Sequence, residues 1–314
     1  MSVSKFLRQW ALIWAILIGI GSYFLADALV SDPTARGALL SGVEIVQPLM
    51  IFAMLFITFC NVNPRRMALR PWHWWLIAVQ AGVYLALTGV AMMLGESYAK
   101  IVVEGAMICF ICPVATAAAV VTRRLGGSAT QIVSYTILIN LVASILIPAT
   151  VPLVMPEHHG DMWGSMLTIL GKVLPLLLLP LMLAWVVRSV SLKVHYYISS
   201  HRDLAFRLWV VSLALAMAVT TRMFVKSTVP LWVDGWLVAV TAVCCFGQFA
   251  IGWLIGSRYR SRTTAGQALG QKNTVLAIWL GYTFYSPVTA LVGGFYSIFH
   301  NVINSYQLYK RPKR

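Results

Sequence analysis

Charge is what this chain lacks. Only 11% of its 314 residues are Asp, Glu, Lys or Arg, and the acidic ones number nine. A water-soluble domain carries about 25%, so a soluble globular fold is excluded. The shortage of carboxylates leaves no acid pair inside the apolar segments for intramembrane proteolysis. A Ser-His pair and a zinc-type cluster are missing there as well, and His158 and His159 lie in a loop without a third ligand. No enzymatic activity is expected. Cysteine is also scarce. All five (Cys60, Cys109, Cys112, Cys244 and Cys245) fall in apolar segments, which excludes a secreted disulfide framework. Cys109 and Cys112 have redox-motif spacing, but inside a predicted span helix packing is the simpler role. No cofactor or metal is expected. Nor do basic residues alternate with aromatics, so the net charge of +15 does not point to nucleic acid.

What is abundant is apolar sequence: 60% of the residues are hydrophobic and the mean hydropathy is +0.80. A membrane span needs about 20 such residues. Ten segments qualify: 8–29, 39–60, 73–95, 99–122, 129–154, 163–187, 204–224, 233–256, 263–283 and 286–307. The expected fold is therefore all-α and integral to a membrane. The N-terminal segment has basic residues, a long apolar run with Trp10 and Trp14, and no small-residue cleavage site, so it reads as a retained helix.

Basic residues set the orientation. Eighteen of the 24 Lys and Arg residues fall on one side of the ten spans: Lys5, Arg8, Arg65, Arg66, Arg70, Arg123, Arg124, Arg188, Lys193, Arg202, Arg207, Arg258, Arg260, Arg262, Lys310, Arg311, Lys313 and Arg314. Arg36, Lys100, Lys172, Arg222 and Lys226 fall on the other, with Asp32, Glu96, Glu157, Asp161 and Asp234. Both termini are thus expected in the cytoplasm, the protein in the plasma (inner) membrane, and the longest loop near 188–203. Residues 1–314 read as one membrane domain.

Lys272 belongs to neither side. It lies ten residues beyond Arg262, inside the ninth span, between Gly266, Gln267, Gly270, Gln271, Asn273 and Thr274. A charge at that depth costs at least ~2.5 kcal/mol unless it is paired or lines a wet cavity. Glycines and polar residues around it predict an interrupted helix, tolerated at membrane depth only where it is buried in protein or lines a cavity. The fourth span has its own interruption. Pro113, in Cys112-Pro113-Val114-Ala115-Thr116, removes a backbone donor and clashes with the preceding turn. The two breaks lie five spans apart, so the halves, about 1–155 and 163–314, are expected to be inverted repeats. Breaks at matching places of inverted halves are the best sequence pointer to a transporter's binding site. Half-helix starts carry about half a positive charge, which suits small anions.

At these residues the sequence resembles the bile acid:sodium symporter family. Cys112-Pro113-Val114-Ala115-Thr116-Ala117-Ala118-Ala119 stands where that family has Cys-Pro-Gly-Gly-Thr-Ala-Ser-Asn. Gly270-Gln271-Lys272-Asn273-Thr274 stands at its second crossover, and Ser286-Pro287, Ser297-Ile298-Phe299-His300-Asn301 and Gln80 are similar to further landmarks. The resemblance implies a panel domain and a core domain, with two broken helices crossing in the core. It also implies alternating-access transport of organic anions such as carboxylates or sulfonates, usually with sodium. Substrate contacts are then expected at Thr116, Ala115, Gly270, Asn273 and Lys272. The arsenite exporters share the fold and a cysteine like Cys112, and are kept as an alternative, as is a non-transporting sensor or receptor.

The departures fall on the sodium ligands. The family's Ser-Asn pair aligns with Ala118 and Ala119, its Glu with Ala268 and its Gln with Lys272. A register anchored on Arg262-Thr263 instead puts Gln267 for the Glu and Gln271 for the Gln. In either register the carboxylate is absent, so sodium remains a candidate ion with most of its ligands missing. Lys272 is the candidate substitute, with Gln80, Gln267, Gln271, Thr136 and Asn140 around it, and a deeply placed ammonium makes the proton a candidate coupling partner. The competing role is a lysine that snorkels to the interface. Glu44 and Glu104 are expected at the membrane interface, and His300 and Asn301 within core contacts. Lipid is the surrounding partner.

Overall fold

The computed structural model describes residues 11–61, 67, 69–155, 161–227 and 229–310. Lys5, Arg8, Trp10, Arg65, Arg66, Glu157, His158, His159, Arg311, Lys313 and Arg314 lie outside that set, as do the side chains of Glu44 and Arg202. Among the described residues the regular structure is helical throughout. The helices are α1 (Ala11–Leu29), α2 (Pro33–Cys60), α3 (Pro71–Met93), α4 (Tyr98–Ile111), α5 (Ala118–Arg124), α6 (Ala129–Val154), α7 (Met162–Val190), α8 (Leu192–Ser200), α9 (Arg202–Val225), α10 (Leu231–Arg258), α11 (Arg262–Gly270), α12 (Thr274–Phe284) and α13 (Leu291–Lys310).

Six of them are long and apolar enough to cross a membrane: Thr34–Cys60, Pro71–Met93, Ala129–Val154, Met162–Val190, Arg207–Val225 and Leu231–Arg258. Many large apolar side chains on them face outward, among them Trp74, Trp75, Leu167, Val243 and Leu254. Such a surface is stable in lipid and not in water. This is an all-α integral membrane protein.

Side chains punctuate the helices. Ser97, Ser128, Asp161 and Ser191 each accept a backbone N–H at the start of the helix that follows, filling donors that no helical carbonyl reaches. Asp32 does the same for Thr34 and Ala35, with Pro33 at a position where a missing N–H costs nothing. At α3 the His73 ring accepts from the Arg70 amide at 2.8 Å, and its other nitrogen lies 3.1 Å from the Gln131 carbonyl of α6.

The structure differs from the sequence expectation in several places. The expected loop at 188–203 contains α8, whose Leu192, Tyr196 and Tyr197 are exposed. Its start is fixed by the Ser191 cap, and its apolar residues seek an apolar medium along its side. Lys172, counted with the outer side although it falls within the expected 163–187 span, lies ten residues into α7 from Met162. Lys100 is buried in the first turn of α4 and pairs with Glu96. Glu104, expected at the interface, is only 3% exposed and accepts from the Thr289 hydroxyl at 3.3 Å. The 286–290 turn folds back over α4 and covers it. Asn301 donates to the Ser297 carbonyl, while His300 is buried with both ring nitrogens unpartnered.

The fourth and ninth apolar segments are each divided into two helices, α4/α5 and α11/α12. Small residues hold α11 in place. A Cβ added at Gly252 of α10 would lie 2.6 Å from the Ala265 carbonyl oxygen, and one at Gly256 2.6 Å from the Ala265 Cβ. The two backbones touch there. Gly252→Ala should therefore lower stability by about 1–3 kcal/mol. Gly247→Ala, a position with open space around it, should leave the thermal midpoint in detergent unchanged or slightly higher. Equal midpoints for the two variants would show that the contact is not tight.

Candidate functional site

Between α4 and α5 the chain is non-helical from Cys112 to Ala117, and between α11 and α12 from Gln271 to Asn273. The two breaks meet. The Ala115 amide donates to the Gln271 carbonyl at 2.9 Å, and the Asn273 amide to the Pro113 carbonyl at 2.9 Å, so that Val114 and Lys272 pair as a short antiparallel bridge. Each break thus satisfies part of the other's backbone, as a buried interrupted helix requires.

The end of α4 leaves carbonyls that the helix no longer serves. Pro113 has no N–H to offer Cys109, and the Cys109 carbonyl instead accepts from Gln248 Nε2 of α10 at 3.1 Å. The Phe110 carbonyl accepts from Lys272 Nζ at 3.3 Å. The Cys112 carbonyl accepts from Gln80 Nε2 of α3 at 3.1 Å, and Gln80 Oε1 in turn accepts from the Tyr135 hydroxyl of α6 at 2.9 Å. On the other break, the Gly270 carbonyl accepts from the Tyr296 hydroxyl of α13 at 2.9 Å. A Cβ at Gly270 would lie 2.4 Å from the Phe249 ring, so only glycine fits. Side chains from four helices, α3, α6, α10 and α13, converge on the two breaks.

Lys272 is 1% exposed. Among the described residues the ion pairs are Arg36–Asp27 and Lys100–Glu96, and neither involves it. Its counter-charge is the negative end of α4, about half an elementary charge. Cys109 and Cys112 at the end of α4, and Cys244 and Cys245 of α10, are buried free thiols. Among the described residues no three His, Cys, Asp or Glu side chains are grouped to hold a metal ion.

The sequence-derived residues divide into two sets. Pro113, Ala115, Gly270, Gln271, Lys272, Asn273 and Gln80 are at the crossing, and Thr116 is half-buried beside it. Gln267 is turned the other way, donating to Asn304 at 2.9 Å and Gln307 at 3.2 Å on α13. Thr136 returns its hydroxyl to the Ile132 carbonyl of its own helix, and Asn140 is buried with both amide atoms unpartnered. Neither is bonded to the crossing. Gln248, Tyr135 and Tyr296 are members of the network that sequence reasoning passed over. A lone amide in an otherwise apolar span was the available signal for Gln248.

The crossing keeps binding capacity. Asn273 caps α12 through its side-chain oxygen, which accepts from the Leu276 amide at 3.2 Å. Its Nδ2, both amide atoms of Gln271 and Gln248 Oε1 are buried without a partner. Buried amides without partners sit beside the positive start of a half-helix, an arrangement that can hold a small polar or anionic group. No protein-family model matches this chain, and no curated protein matches it.

Gln80→Leu strips partners from both the Cys112 carbonyl and the Tyr135 hydroxyl, and should cost about 1–3 kcal/mol per orphaned group. Adding Tyr135→Phe removes one orphan and should recover part of the loss. Thermal melts of the two single variants and the double variant measure this coupling, and strictly additive losses would dissolve the proposed network.

Proposed function

We propose that this chain is a secondary transporter that moves a small organic anion, a carboxylate or sulfonate, by alternating access, and that it is a divergent member of the bile acid:sodium symporter family. The observation that carries the reading is the placement of Lys272 on the end of a broken helix at the crossing of two breaks. Broken helices whose ends meet at mid-chain depth are how transporters build sites from backbone dipoles. The motif resemblance and the basic-residue bias support ten spans, two inverted halves and cytoplasmic termini. A sensor of the same fold would bind the anion and move nothing.

In this reading Lys272 takes the place of the coupling cation. Sodium needs oxygen ligands, and Ala118, Ala119 and Ala268 supply none from their side chains. An ammonium on the Phe110 carbonyl also repels a second cation. Transport is then passive, or coupled to a proton.

Counterflow of labelled carboxylates and sulfonates in liposomes, with sodium exchanged for potassium or choline at fixed pH, tests both points. Uptake should be the same in all three salts. Asn273→Ala should abolish it while leaving expression near wild type and lowering stability by no more than the loss of one helix cap, about 1 kcal/mol. Collapse of uptake without sodium would sink the lysine-for-ion reading, and unchanged uptake by Asn273→Ala would remove the crossing as the substrate site.

The orientation has its own test. All five native cysteines are buried, so a new surface cysteine reports alone. One at Arg258 should react with an impermeant maleimide only from the cytoplasmic side, and one at Met162 only from outside. Reaction of both from the same side would overturn the proposed topology.

A further inference from the structure

Glu104 is a buried carboxyl that the crossing does not use. It stands eight residues before Cys112 on α4, about 12 Å along the helix, toward the side that the proposed topology places outside. Glu96, Lys100 and Glu104 recur at every fourth residue and follow one face into α4. The Glu96 side chain is 72% exposed and that of Lys100 is 7% exposed, while Glu104 is only 3% exposed. Lys100 gives its ammonium to Glu96, so among the described residues no ion pair reaches Glu104. What Glu104 has instead is a row of hydroxyls. Thr289 Oγ1 donates to Glu104 Oε2 at 3.3 Å and lies 2.7 Å from Ser286 Oγ, which also accepts from the Thr289 amide at 3.0 Å. Thr289 is fully buried, Ser286 is partly exposed and Pro287 beside it is exposed. The row therefore runs from the surface to the carboxyl.

A buried ion needs an opposite charge or several hydrogen bonds, and a basic residue in the place of Thr289 would fix Glu104 as an anion. Hydroxyls do not fix it, because each can donate or accept. With Glu104 ionised, Ser286 donates to Thr289 and Thr289 donates to Oε2. With a proton on Oε2, the new O–H donates to Thr289 Oγ1, Thr289 donates to Ser286, and the Ser286 hydrogen turns to the surface. No heavy atom has to move. We propose that Glu104 is a proton-binding site, loaded from the outer side along Ser286 and Thr289, and that it carries the coupling proton of the transport cycle. The assignment rests on the proposed transport for its role, and it places the proton on a carboxyl away from Lys272. Other titratable groups on the elements packed against this part of α4 are Tyr84 of α3, Asp234 of α10 and Tyr285 at the end of α12. Tyr84 is bonded to Thr150, Asp234 sits in the first turn of α10 among free amides, and the Tyr285 hydroxyl is buried without a partner. From α13 it is Val292 that meets Gly105; Tyr296 is engaged at the crossing, and His300 lies a turn further on. Cys109 and Cys112 are at the inner end of α4.

Infrared difference spectra of the full chain in phosphatidylcholine nanodiscs, taken as the pH is lowered, read the carbonyl stretch of a protonated carboxyl directly. Wild type should gain a component from a buried carboxyl, displaced in heavy water. Glu104→Gln should lose that component, while Asp234→Asn and Glu96→Gln should keep it. Thr289→Val breaks the hydroxyl row and should move the midpoint at which the component appears, and Thr289→Ser should restore it. The Thr289 pair also stands alone if Glu104→Gln does not fold. Absence of the component from wild type, its survival in Glu104→Gln, or an unmoved midpoint in Thr289→Val overturns the proposal. In sodium-free liposomes an inward proton gradient should accelerate uptake of labelled benzenesulfonate, an anion at every pH used, and Glu104→Gln should lose the acceleration. The titrating component without any counterflow would sink the transport reading and leave the proton site standing. Counterflow with equal acceleration in wild type and Glu104→Gln would do the reverse.

Discussion

A buried carbonyl must find a donor, and the end of α4 has several that the helix itself no longer serves. Pro113 cannot donate to Cys109, and the turn that follows carries the next amides away. Each of those carbonyls, left unpaired and buried, would cost about 1–3 kcal/mol. The remedy draws on distant parts of the chain: Gln248 from α10, Lys272 from the other break and Gln80 from α3. Tertiary structure around the crossing follows from this need. Tyr135 is buried because Gln80 requires its hydroxyl, and Gly270 stays glycine because Phe249 packs against its backbone.

Lys272 differs from the other two donors because it brings a full charge. A neutral amide could satisfy the Phe110 carbonyl equally well, so hydrogen bonding alone does not account for a lysine. The helix end supplies about half a negative charge, less than the ammonium, and desolvating an isolated ion costs several kcal/mol. The site is therefore left with positive character that no carboxylate cancels among the described residues. In the proposed reading, the Lys272 ammonium holds the crossing together without a bound ion, and makes the same place attractive to an anion and hostile to sodium.

The breaks were legible in the sequence because proline and clustered glycine act locally, through missing donors and missing Cβ atoms. Their partners were not. Gln80 was singled out by resemblance alone, and nothing near Gln248 or Tyr135 in the chain marks them as capping a carbonyl on another helix. Gln267 shows the converse: its position beside Lys272 in sequence suggested a shared site, but one helical turn rotates it toward Asn304 and Gln307. Glu104 was misplaced for a different reason: α4 begins within a residue of where it was expected, but burial depends on which segment folds over a helix, and the 286–290 turn covers this one.

The half-helix α12 is where these constraints join. Its first residues are tied to α4 through the Asn273 amide and the Pro113 carbonyl, and its first turn is tied to α2 through Gln47. The neighbouring half, α11, is held backbone to backbone, since Gly252 and Gly256 bring it into direct contact with α10. α12 packs just as closely on its other side, where a Cβ at Gly281 would lie 2.5 Å from the Ala290 Cα and one at Gly293 of α13 2.8 Å from the Ile278 amide nitrogen. Any shift of α12 requires the bonds at Asn273 and Gln47 to exchange for others of similar strength. The unpartnered amides of Gln271 and Asn273 are the nearest groups able to make that exchange.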